Sequence, residues 1–169
     1  MQIPRGTSTA GQPQRAQALR HDVAGRNSRA SGRPSRRGDC ALLLWVIDPF
    51  LASGLDVMRA WGFRYVSVAF HWAKRTKHDR AWHLGTGYGT RANVETCLLG
   101  MVGEIGLPKA RDVRRLIVEP VREHSRKPDR VTADIERLYD GPYVELFART
   151  RWPGWDSWGN ELDRFEAAA

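Results

Sequence analysis

Apolar positions fall in short blocks, separated by polar stretches rich in glycine and proline. Ala41 to Ile47 (ALLLWVI) is a continuous apolar run of strand length, the pattern of a strand buried on both faces. Asp48-Pro49 ends it. Leu51, Leu55, Met58 and Trp61 then recur at helical spacing, and Gly62 follows as the closing residue. Arg64 to Trp72 (RYVSVAFHW) reads as the next strand. Strand, helix, strand implies a right-handed parallel crossover. Val94 to Met101 (VETCLLGM) predicts a further buried strand and Arg114 to Val118 (RRLIV) a short one. Pro128 to Leu138 predicts a helix, with Pro128 in its first turn and Asp129 at the positive end of its dipole. Gly141-Pro142 turns the chain into Tyr143 to Ala148 (YVELFA), read as the last strand, and a glycine- and tryptophan-rich loop runs on to Glu161. Alternating strands and helices give an α/β class with a mostly parallel sheet.

The chain has 169 residues, enough for one domain with a sizeable core. Its net charge of +8 is unevenly spread. Residues 1–38 hold eight arginines and one acid, Asp22, whereas the rest holds 19 basic and 18 acidic groups. The high pI therefore belongs to the front and says little about the domain surface. That front has no Phe, Trp or Tyr and cannot bury enough apolar surface to offset its ordering entropy, so residues 1–38 are read as a disordered Arg/Ser/Gly-rich tail. It could be a phosphate-touching arm, a transit peptide, or sequence outside the genuine coding start. All its basic residues are Arg and none is Lys, a bias that fits the last reading or a bland tail better than a functional arm. Residues 39–165 are the folded domain. Cys40 and Cys97 make neither a disulfide framework nor a metal spacing, and both read as buried free thiols. The longest apolar run is too short to span a bilayer and the front has no apolar signal core, so a cytoplasmic setting is expected, with no membrane and no metal.

Lys74 to Asn93 (KRTKHDRAWHLGTGYGTRAN) is a long polar loop, a length associated with function or mobility. Lys74, Arg75, Lys77 and Arg91 interleave there with Trp82 and Tyr88, an arrangement suited to a single-stranded or flipped base and its phosphates. A solvated loop with two aromatics folded back on the core accounts for the same composition. Glu145 lies inside a strand, where a carboxylate needs a partner, either an Arg or a ligand hydroxyl or amine. Arg149 stands at that strand's carboxyl end, where open α/β sheets bind ligands. Asn160 and Glu161 follow Gly159 and can bond a ribose or base, and Lys127 precedes a helix N-terminus that suits a carboxylate or phosphate.

LLLWV, WGF, HWAK, WHLGTGYGTRANVETCLLG, HSRKPD at 124–129, and ELFAR with PGWDSWGNE at 145–161 together resemble the MT-A70-type adenine methyltransferases, over roughly residues 39–162. These enzymes transfer a methyl group from S-adenosylmethionine to the N(6) amine of adenine in DNA or RNA. The resemblance implies a Rossmann-like methyltransferase sheet with permuted motif order, incomplete here at its N-terminal side. It implies that Lys127, Glu145, Arg149, Asn160 and Glu161 line an S-adenosylmethionine pocket, and that Lys74, Arg75, Lys77 and Arg91 lie on the loop facing the DNA or RNA. Two departures stand out. The family's Asp-Pro-Pro-aromatic motif, which holds the adenine amine and stacks the base, is absent upstream of LLLWV, so no catalytic residue is assigned. Asp48-Pro49-Phe50 imitates it but follows the strand instead of preceding it. Gly89 stands where the family tends to carry a large aromatic. Two alternatives follow: a non-catalytic nucleic-acid-binding subunit beside a methyltransferase partner, or a degenerate remnant with an exposed apolar sheet edge.

Overall fold

The computed structural model describes residues 38–165. The tail expected over residues 1–38 falls almost wholly outside them. Strand β1 (Cys40–Val46) is followed by a short 3-10 turn (Asp48–Phe50) and helix α1 (Leu51–Ala60). Strands β2 (Arg64–Arg75), β3 (Val94–Val102) and β4 (Leu116–Pro120) come next, then helix α2 (Arg130–Leu138), β5 (Tyr143–Leu146) and β6 (Trp155–Trp158).

The main sheet has the order β1-β3-β2-β4. β1 and β2 both run antiparallel to β3, and β4 runs parallel to β2. β1, β2 and β4 thus share one direction, as an α/β crossover fold requires, and β3 is reversed between β1 and β2. The crossover through α1 therefore skips one position and does not join neighbours. Alternation along the strands separates two cores. Leu43 and Trp45 join Phe70, Trp72, Cys97 and Ile117 beneath Val131, Ile135 and Leu138 of α2. Leu42, Leu44 and Val46 join Leu98 and Val68 beneath Leu55 and Met58 of α1.

The end of α1 follows from Gly62. Its φ of +81° lets the chain leave the helix, with the Phe63 N–H donating to the Met58 carbonyl at 2.9 Å and the Gly62 N–H to the Arg59 carbonyl at 3.0 Å. Phe63 folds back beside Met58 in the core, completing the cap. At the start of α2, Asp129 occupies the N-cap without a side-chain bond to its own helix, because Arg122 takes both its oxygens at 2.6 Å and Arg126 adds a third contact at 3.1 Å. Burial opposes ionisation of Asp129, but these hydrogen bonds outweigh it and hold its pKa below the ordinary range.

Four expectations need correction. β2 runs on to Arg75, so Lys74 and Arg75 are strand residues and the loop starts at Thr76. The YVELFA strand stops at Leu146, because Phe147 takes a left-handed φ of +61°. The segment WDSW is a strand, β6, where a loop was expected. It pairs in parallel with β5 in a separate two-stranded sheet, with Tyr143 stacked on Trp155 at 4.8 Å. Finally, Cys97 is a buried free thiol as expected, but Cys40 is only half-buried. Asp48–Phe50 is exposed throughout.

Candidate functional site

Glu95 is the second residue of β3, opposite Trp72 of β2. Because β3 is reversed, this position lies at the edge where β1, β2 and β4 end, the edge at which open α/β sheets bind ligands. Two ammonium groups converge on it. Lys74 Nζ lies 2.5 Å from Glu95 Oε1, and Lys127 Nζ lies 2.8 Å from Oε2. Lys74 also sits over the Trp72 ring at 5.1 Å and Lys127 over Trp45 at 5.8 Å. The Glu95 side chain is 12% exposed. Burial alone raises its pKa, but hydrogen bonds from Lys127 and Lys74 more than offset this and leave it below the ordinary carboxylate range. Two cations on one carboxylate leave a net positive charge at the sheet edge, which suits an anionic group.

A second cluster is built on β5 and β6. Glu145 and Ser157 are direct neighbours in the β5–β6 register and so share one face of that sheet. Glu145 Oε2 and Ser157 Oγ are both buried without a hydrogen-bond partner among the described residues. Burial pushes the Glu145 carboxyl above its ordinary range, and a hydrogen bond from Trp152 offsets part of that. A buried oxygen without a partner costs about 1–3 kcal/mol. A group that brings N–H or O–H donors would satisfy both. Just beyond, Arg149 Nε lies 2.7 Å from Glu161 Oε2, and Arg164 bonds the other oxygen of Glu161. Asn160 is exposed beside this pair. Gly159 makes the crossing possible: a Cβ there would stand 2.5 Å from the Ala148 carbonyl oxygen and 2.8 Å from its nitrogen.

The sequence-predicted residues thus divide into two groups. Glu145, Arg149, Asn160 and Glu161 gather at the ends of β5 and β6, with Arg149 and Glu161 bonded to each other. Lys127 contacts Glu95, Trp45 and the Ser125 carbonyl, and its neighbour Arg126 stacks on Phe165, whose N–H donates to the Arg149 carbonyl at 3.0 Å. Of the four residues placed on the nucleic-acid loop, Lys74 is paired with Glu95, and Arg75 with Asp79 at 2.8 Å with its guanidinium over Trp82 at 4.8 Å. Lys77 and Arg91 are exposed. A groove of about 360 Å³ lined by Lys77, Glu119, Pro120, Arg122, Asp129 and Arg130 opens near the same sheet edge. Its arginines are paired, Arg122 with Asp129 and Arg130 with Asp134.

Sequence reasoning missed two residues. Glu95 lay within the apolar run VETCLLGM, and only its placement at the strand's first turn-proximal end hinted at a partner. Ser157 lay in WDSW, whose alternation of half-buried and exposed positions emerges only in the fold and is not legible in the order Trp-Asp-Ser-Trp.

A sequence model of the MT-A70 family matches residues 35–161. The chain is 35% identical over 126 residues to the type II methyltransferase M.MunI of Mycoplasma sp, covering 73% of this chain and 51% of that protein. It is 35% identical over 140 residues to an N(6)-adenosine-methyltransferase MT-A70-like protein of Drosophila melanogaster, covering 80% of this chain and 23% of the relative. It is 33% identical over 135 residues to the human N(6)-adenosine-methyltransferase catalytic subunit METTL3, covering 77% and 23%. The chain therefore spans about half the length of the first relative and about a quarter of the other two.

Proposed function

This chain belongs to the MT-A70 family, and from that premise we propose that it serves the transfer of a methyl group from S-adenosylmethionine to the N(6) amine of adenine in DNA or RNA. The observation that carries this reading is the pair of buried, unpartnered oxygens on Glu145 and Ser157. S-adenosylmethionine bears an ammonium, two ribose hydroxyls and an adenine amine, all of them donors of the kind those oxygens lack.

When bound, S-adenosylmethionine supplies an electrophilic methyl group on sulfur. The chain's own part is to hold and orient. Glu145 accepts a donor from the cofactor, and Ser157 accepts or donates beside it. Arg149 and Arg164 fix the Glu161 carboxylate, which keeps lone pairs free for a hydroxyl, and Asn160 offers both a donor and an acceptor next to it. Glu95 fixes the positions of Lys74 and Lys127, whose surplus positive charge suits a cofactor carboxylate or a phosphate. Lys77 and Arg91 meet the nucleic-acid backbone, and Lys74 and Arg75 brace the start of their loop.

The test is incorporation of labelled methyl from S-adenosylmethionine into adenine-containing oligonucleotides. Incorporation that Asn160→Ala abolishes supports the reading; incorporation that Asn160→Ala leaves unchanged removes the β5–β6 assignment.

A second reading, a nucleic-acid-binding subunit that works beside an active methyltransferase, draws on Glu95. Its two ammonium partners leave surplus positive charge at the sheet edge, which suits a phosphate. Salt-dependent retention of an oligonucleotide without methyl incorporation distinguishes this reading from the first.

A further inference from the structure

We propose that Tyr88 is the base-stacking residue of this chain, the platform on which an unpaired base of DNA or RNA rests. The inference relies on the nucleic-acid reading above and adds to it the residue that meets the base.

The loop from Thr76 to Asn93 is braced. The Lys74 N–H donates to the Asn93 carbonyl at 2.8 Å, the His83 N–H to the Lys74 carbonyl at 3.0 Å, and the Gly85 N–H to the Ala92 carbonyl at 2.8 Å. Above that neck the chain turns back on itself so tightly that only glycine fits. A Cβ on Gly85 would stand 2.4 Å from the Ala92 carbonyl oxygen, and one on Gly87 would stand 2.0 Å from that of Thr90. Tyr88 lies at the apex of this closed turn, and its side chain is wholly exposed (104%).

The other aromatic of the loop is committed elsewhere. Trp82 pairs with Arg75 through an isolated bridge, and the Arg75 guanidinium covers its ring at 4.8 Å. Tyr88 keeps both faces open. The loop's other cations are likewise uncommitted: Asp79, the loop's acid, is taken by Arg75, whereas Lys77, Arg80 and Arg91 are exposed and have no carboxylate partner among the described residues. A ring open on both faces, carried on a turn braced at its neck in a loop that also bears exposed cations, is the composition of a single-strand stacking site. Stacking uses the faces of the phenol and leaves its hydroxyl in water, so the contact buries no unpaired polar group. A protein partner with an apolar pocket would have to desolvate that hydroxyl.

The test uses the full chain with single-stranded DNA and RNA oligonucleotides that carry 2-aminopurine in place of one adenine. Binding is read by anisotropy across a salt series, and stacking by quenching of the 2-aminopurine. Wild type is expected to bind and quench. Tyr88→Ala is expected to lose quenching and about 5- to 150-fold in affinity with its salt slope unchanged. Tyr88→Phe is expected to stay near wild type. Lys77→Ala is expected to flatten the salt slope by about one. Equal losses on DNA and RNA support contact with the base, which both share, and a loss on only one of them assigns that nucleic acid as the ligand. Binding that Tyr88→Ala leaves unchanged while Lys77→Ala weakens it overturns the proposal and leaves the nucleic-acid reading standing. A folded wild type that binds neither oligonucleotide overturns both.

Discussion

Glu145 lies opposite Ser157 across the β5–β6 ladder, and each keeps a buried oxygen without a hydrogen-bond partner among the described residues. The relationship has opposite consequences for stability and for binding. Burial raises the Glu145 pKa, so the folded chain binds this proton more tightly than the unfolded chain. Its contribution to stability is present below the unfolded carboxyl pKa, about 4.3, and is lost as the pH rises through the higher folded value. At neutral pH the ionised group therefore opposes folding. Glu145→Gln is expected to raise the denaturation midpoint at pH 7 and to remove this part of the pH dependence, while weakening S-adenosylmethionine about tenfold or more. Parallel urea melts at pH 5 and pH 7 and one binding isotherm check both halves.

Glu95 carries the opposite sign. Its folded pKa is lowered, so its stabilising effect is present above the ordinary carboxylate range and is lost as the pH falls through the lower folded value. Glu95→Gln leaves Lys74 and Lys127 without their shared partner; their side chains are only 18% and 29% exposed. The loss at pH 7 is expected to be about 2 kcal/mol, between that of an exposed and a buried pair. The same substitution is expected to flatten the acid limb of the stability profile, which urea melts between pH 3 and 7 measure.

Gly159→Ala places a methyl group against backbone, where no side chain can rotate away. Its neighbour Trp158 accepts a hydrogen bond from the Ala148 N–H at 3.0 Å, and that bond must lengthen. A loss of about 2 kcal/mol or more is expected, together with loss of S-adenosylmethionine binding. Thermal melts and a titration of the surviving folded protein test it.

Arg149→Ala separates a binding role from a stabilising one. The Arg149–Glu161 pair is partly exposed and is expected to contribute no more than about 1 kcal/mol to the fold. If the pair instead positions Glu161 and Asn160 for a ligand, affinity falls about tenfold with a near-wild-type melt. A matched fall in both quantities would mark the pair as structural.

The main sheet was legible because its strands are apolar blocks and because Gly62 announces the end of α1. Pattern also located Tyr143 to Leu146. It could not announce Phe147, since a left-handed φ at a large aromatic leaves no compositional trace. It hid β6 as well. Trp155 and Ser157 turn inward while Asp156 and Trp158 turn out, but between Gly154 and Gly159 the four residues read as loop. Lys127, Glu145, Arg149, Asn160 and Glu161 were named through motif order, which carries identity but not pairing. Only the fold brings Lys74 and Lys127 to one carboxylate. Register does the same for Ser157, placing a short polar side chain beside Glu145 across the ladder.

The central claim is that the β5–β6 cluster receives S-adenosylmethionine. Calorimetric titration of the folded full chain, with Glu145→Gln and Ser157→Ala beside it, tests this most directly. Saturable binding by wild type and affinity reduced in both variants, by about tenfold for Glu145→Gln, is the predicted result. A soluble, folded chain that binds no S-adenosylmethionine, or that binds it equally well with either substitution, contradicts the claim.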